Sequence, residues 1–155
     1  MMQQDVMNQT NTRFTFSFHQ KGIALSLVIT LGAAIYYFVN VWAMQPAAVA
    51  GNIIPPGYDT LVLNTIKVFV FAQVMQYILL AVSAGSAVAA TPHEKAASQK
   101  ATRNAYGVLT FGSFAAVASF FWGELIPFYT IDLIITSFAL SEIVKFASQL
   151  FYIRR

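Results

Sequence analysis

The chain has 155 residues, the size of one ordinary domain, yet 57% are hydrophobic and only 10% are Asp, Glu, Lys or Arg. A wettable surface takes about 25% charged residues, so this composition, with a mean hydropathy of +0.62, excludes a soluble domain and predicts an all-α polytopic membrane protein. The net charge of +3 comes from nine cations spread through an apolar chain, which forms no nucleic-acid patch, and the lack of cysteine excludes disulfides, thiol catalysis and Cys-ligated metals.

In chain order, residues 1–13 are Gln- and Asn-rich with few core-forming side chains, which predicts a disordered cytoplasmic tail ahead of a four-helix transmembrane domain over residues 14–155. A hydrocarbon core needs about 20 apolar residues per helix, and four stretches supply them: residues 23–42, 61–90, 105–122 and 126–153. The first is uncharged. Ala48-Val49-Ala50 after it resembles a signal-peptidase site, but the apolar run exceeds a signal peptide's core of about 7–15 residues, which favours an uncleaved anchor. Residues 45–58, with Pro46, Gly51, Pro55, Pro56 and Gly57, read as an irregular loop. Thr91-Pro92 closes the second span, residues 91–104 read as a polar basic loop, and residues 123–127 as a tight turn.

Lys and Arg in short loops set orientation. Arg13 and Lys21 precede the first span; Lys95, Lys100 and Arg103 lie between the second and third; Arg154 and Arg155 end the chain, and the other two connections hold no cation. Both termini and the middle segment are therefore expected on the cytoplasmic side. Gln20-Lys21 with Trp42, and Gln99-Lys100 with Trp122, bracket the first and third spans alike, which predicts two tandem helical hairpins of the same orientation.

Charges inside hydrocarbon cost about 2.5–3.5 kcal/mol at a helix centre, so each is informative. Lys67 and Asp132 lie at matching depth in the second and fourth spans and form a candidate pair; snorkelling of Lys67 to the headgroups is the simpler alternative. Ser137, Ser141, Lys145 and Ser148 recur at helical spacing, and Glu142 stands three residues before Lys145, giving a candidate polar stripe that should face the bundle. Gln73, Gln76 and Ser83 make a similar stripe in the second span, suited to locking helices together. Small residues at four-residue spacing, Gly112 with Ala116, Ala115 with Ser119 and Ala81 with Gly85, suit close helix packing or a homodimer.

Three blocks carry a family resemblance. Phe16-Ser17-Phe18-His19-Gln20-Lys21, the segment from Lys100 to Leu109, and above all the C-terminal LSEIVKFASQLFYIRR resemble a group of small four-helix bacterial inner-membrane proteins of unassigned activity. The resemblance implies an inner-membrane location. Where that group carries a D-E-R-D run in the middle loop, this chain has His93-Glu94-Lys95-Ala96, so any role tied to that run does not transfer. Members of such groups look like partners of small regulators or like immunity-type proteins.

His19 and His93 match no metal spacing, and no Gly-rich phosphate loop or nucleophile–base set is present. The expectation is an integral inner-membrane protein that is no enzyme and takes no cofactor. It would act as a regulatory or accessory interaction protein, with the bilayer around it, no nucleic-acid partner, and Lys95, Lys100 and Arg103 touching anionic lipid or a cytoplasmic protein. The alternative is a small transporter or ion-conducting oligomer using Lys67, Asp132, Glu142 and Lys145.

Overall fold

A computed structural model describes residues 18–84, 90–122 and 126–154. They form four α-helices: α1 (Phe18–Gly51), α2 (Tyr58–Ala84), α3 (Pro92–Trp122) and α4 (Pro127–Arg154). The predicted tail of residues 1–13, Arg13 included, lies outside the described residues, as do Gly85, Glu124 and Arg155 and the side chains of Ser83 and Trp122. Consecutive helices pair, α1 with α2 and α3 with α4, and the two hairpins join through α1 and α4. The helices thus lie in the order α2, α1, α4, α3.

Three helices are long and apolar enough to cross a membrane, over His19–Gly51, Tyr58–Val82 and Pro92–Phe121. The fourth predicted span, α4, is not among them; it carries Asp132, Glu142, Lys145 and Arg154. Val39, Trp42, Phe71, Val82, Phe111 and Phe121 are all exposed to the surroundings, Trp42 by 74%. In water such continuous apolar surface would drive aggregation; in hydrocarbon it has no such penalty.

Two boundaries differ from the sequence reading. Residues 45–51 continue α1 rather than starting the loop, so α1 has 34 residues with Pro46 inside and spans about 50 Å at 1.5 Å per residue. Proline normally ends a helix by removing a donor and crowding the preceding turn. Here the turn beyond Pro46 is anchored by Ala48, which is fully buried in the core with Tyr37, Val41, Tyr58, Leu61 and Phe128. The true stop is Asn52, in the left-handed region at φ 50°. Ile53 N–H donates back to the Ala48 carbonyl at 3.4 Å, the bond of a Schellman ending. Gly57, at φ 83°, then accepts from Leu61 N–H at 2.9 Å as α2 begins.

The second difference is larger. Residues 92–104 are not a loop but the first turns of α3. Thr91 and Glu94 cap them reciprocally: Glu94 N–H donates to the Thr91 hydroxyl at 3.2 Å, and Thr91 N–H donates to the Glu94 carboxylate at 2.9 Å. With Pro92 at the first helical position, this is a capping box. One face of those turns is buried through Ala97, Ala101 and Ala105, and the same face continues to Ala116. A Cβ added to Gly112 would overlap the Ser137 hydroxyl and Cβ, so α3 and α4 approach closely because Gly112 has no side chain.

Candidate functional site

The polar side chains inside the bundle gather in three places. At the end that holds the α1–α2 connection, Tyr37 on α1 donates its hydroxyl hydrogen to Asp132 Oδ1 on α4 at 2.9 Å. Tyr37 and Tyr58 oxygens lie 2.6 Å apart. Tyr37 has one proton, and Asp132 takes it, so Tyr58 is the donor to Tyr37. The chain Tyr58–Tyr37–Asp132 ties the start of α2 to α4 across α1, and Phe128 closes over it, its ring centroid 5.1 Å from that of Tyr58.

This corrects the expected Lys67–Asp132 pair. Past Tyr58, whose ring meets Phe128, α2 packs on α1 rather than on α4; Lys67 is exposed, and the carboxylate bonds to a tyrosine. Position-matching along the chain missed both neighbour and depth: with Ser26 bonded to Gln73 and Tyr37 to Asp132, Lys67 stands about level with Ser137 rather than Asp132. Tyr37 was missed because a tyrosine in an apolar run reads as bulk. The available signal was its place in the stripe Ile23, Ser26, Thr30, Tyr37, Val41, Ala48, the residues of α1 that are buried.

Toward the opposite end, the second-span amides lock α2 to α1 as their spacing implies. Gln76 Nε2 donates to the Gly22 carbonyl at 2.8 Å and to Ser26 Oγ at 2.7 Å, and Ser26 donates to Gln73 Oε1 at 3.3 Å. Gln73 Nε2 and Gln76 Oε1 remain buried without a partner.

Ser137 and Ser141 are buried, as a bundle-facing stripe requires. Their hydroxyls, however, donate to carbonyls of their own helix, Leu133 at 2.6 Å and Phe138 at 2.8 Å. They act as small, self-satisfied packing surfaces rather than as bonds between helices. Glu142 and Lys145 do pair, at 3.0 Å, and the Lys145 ammonium sits 4.9 Å from the centroid of the Phe146 ring.

The depth of that ion pair follows from two registers. Counting from Tyr37 back along α1, and from Asp132 forward along α4 by the same number of residues, brings Ala24 level with Lys145. Counting likewise from the Gly112–Ser137 contact brings Asn104 level with Lys145. Ala24 and Asn104 stand where the first and third apolar runs begin. Lys145 therefore lies at the edge of the apolar slab, with Glu142 about one turn inside it. The last turns of α4 run beside the first turns of α3, where Asn104 Nδ2 donates to the Tyr152 hydroxyl at 2.9 Å.

Lys95, Lys100 and Arg103 are all exposed, on the side of α3 away from Ala97, Ala101 and Ala105. They form a face of a rigid two-helix arm, not a loop. Among the described residues, no three His, Asp or Glu side chains come together as a metal would require. No family model, curated protein or solved structure matches the chain.

Proposed function

We propose that the chain is a bacterial inner-membrane protein with all four helices embedded and both termini cytoplasmic, and that it works without enzymatic activity as a regulatory or accessory interaction protein. The observation that carries this reading is the arm formed by α3 and the end of α4. Residues 92–104 add about 20 Å of helix at 1.5 Å per residue beyond the apolar slab, braced by buried alanines and presenting Lys95, Lys100 and Arg103. Cations that serve only for orientation need no such scaffold; held in fixed geometry, they suit an acidic protein surface. Three helices long and apolar enough to cross a membrane support a membrane location.

Conduction is the weaker reading. A relay needs ionisable groups in sequence, whereas Lys67 is on an exposed face, Asp132 is bound to Tyr37, and Glu142 is paired with Lys145 at the far edge. The test is affinity capture from native membranes with the wild type and the K95Q/K100Q/R103Q variant. The reading expects a stoichiometric protein partner that is lost on neutralisation; the same captured set from both would overturn it.

A further inference from the structure

Because α2 and α4 both pack on α1 and meet each other only near Tyr58 and Phe128, a narrow, half-open groove of about 90 Å³ runs between them. Its floor is small, Ala33 and Ala34 on α1; its walls are Phe69 on α2 and Phe138 and Ala139 on α4. One end is stopped by Tyr37, held by Tyr58 and Asp132. The other reaches Glu142, paired with Lys145 at the edge of the slab. One helical turn beyond Phe69 stands Gln73, whose Nε2 is buried and unbonded.

We propose that this groove is a phospholipid site, with one acyl chain between Phe69 and Phe138 and a zwitterionic amino headgroup on the Glu142–Lys145 pair. The proposal rests on the membrane reading above. Hydrocarbon is what surrounds such a groove in a bilayer, and the polar clasp of Tyr37, Tyr58 and Asp132 at one end leaves the charged end for the headgroup. There the two side chains offer one negative and one positive charge side by side: Lys145 complements the phosphodiester and Glu142 the ammonium. A purely anionic headgroup would leave Glu142 opposed by like charge, so the site discriminates between the two classes.

The experiment is native mass spectrometry of the detergent-purified full chain, titrated with dioleoyl phosphatidylethanolamine or dioleoyl phosphatidylglycerol. The expected result is one ethanolamine lipid per chain, preferred about tenfold over the glycerol lipid, a difference of 1.4 kcal/mol. Ala34→Phe and Ala139→Leu, which fill the slot from floor and wall, should abolish binding of both lipids; Glu142→Gln should abolish only the preference. Equal binding of the two lipids by the wild type overturns the headgroup assignment. Wild-type binding by either slot-filling variant that remains helical and monodisperse overturns the site, and Ala139→Leu decides alone should Ala34→Phe not fold. A chain that alkaline washing strips from membranes would instead sink the membrane reading itself.

Discussion

Tyr37 and Asp132, far apart in sequence, are joined by a 2.9 Å hydrogen bond that fixes α1 against α4 and gives the carboxylate its one hydrogen-bond partner among the described residues. Tyr37→Phe leaves Asp132 without a donor and Tyr58 without an acceptor. It should destabilise the protein by about 1–3 kcal/mol, read as a lower midpoint of thermal unfolding in detergent. Asp132→Asn keeps an acceptor oxygen and should cost less than Asp132→Leu. Lys67→Met should change the midpoint little in any of these backgrounds; strong coupling between Lys67 and Asp132 in a double-mutant cycle would restore the ion pair that the helix order argues against.

The Gly112–Ser137 approach makes a size prediction. Gly112→Ala places a methyl where the Ser137 side chain sits, an overpacking that costs about 1–3 kcal/mol. Ser137→Gly on the opposite helix should recover most of that loss. Recovery is the informative outcome, since Gly112→Ala by itself gains helix propensity and a loss repaired from α4 comes from the contact.

At the start of α3, Thr91→Val or Glu94→Ala removes one half of the reciprocal cap and should cost about 1 kcal/mol. The expected signature is local: faster amide hydrogen exchange over residues 92–96, with Ala105 to Ala116 unchanged. Uniform acceleration along α3 would mean that the basic turns and the apolar turns unfold together.

Where α2 meets α1, Gln76→Leu removes two donated bonds while leaving the shape largely filled. Ser26 and the Gly22 carbonyl then lose their partner, so a loss of about 1–2 kcal/mol is expected. Gln73→Leu removes an amide whose nitrogen is already unbonded and should cost less. The order of the two thermal midpoints checks the assignment.

Much of the fold was legible because hydrophobic run length is a direct signal: the four helices fall where the four apolar runs do, and residues 126–153 anticipate α4 within a residue or two. The ends were less so. Pro46 was read by its local effect, which the burial of Ala48 overrides, and the polar turns of α3 were read as loop because their hydropathy is low. Thr91-Pro92-His93-Glu94 carried the correction in plain sight, as a capping box with proline at the first helical position. The site was harder still. Charge and spacing marked Asp132, Glu142, Lys145, Ser137, Ser141 and Gln76 as inward, but a partner across helices depends on their lateral order. No run length encodes that α1 separates α2 from α4.

The orientation of the arm can be measured most directly because the chain has no cysteine of its own. Single substitutions, Gln99→Cys on the basic turns and Ile53→Cys in the α1–α2 connection, can be probed with a membrane-impermeant maleimide on intact and permeabilised spheroplasts. Labelling of Ile53→Cys in intact spheroplasts, and of Gln99→Cys only after permeabilisation, is expected for an embedded bundle with its arm in the cytoplasm. Labelling of Gln99→Cys from outside, or of both positions from the same side, would contradict it.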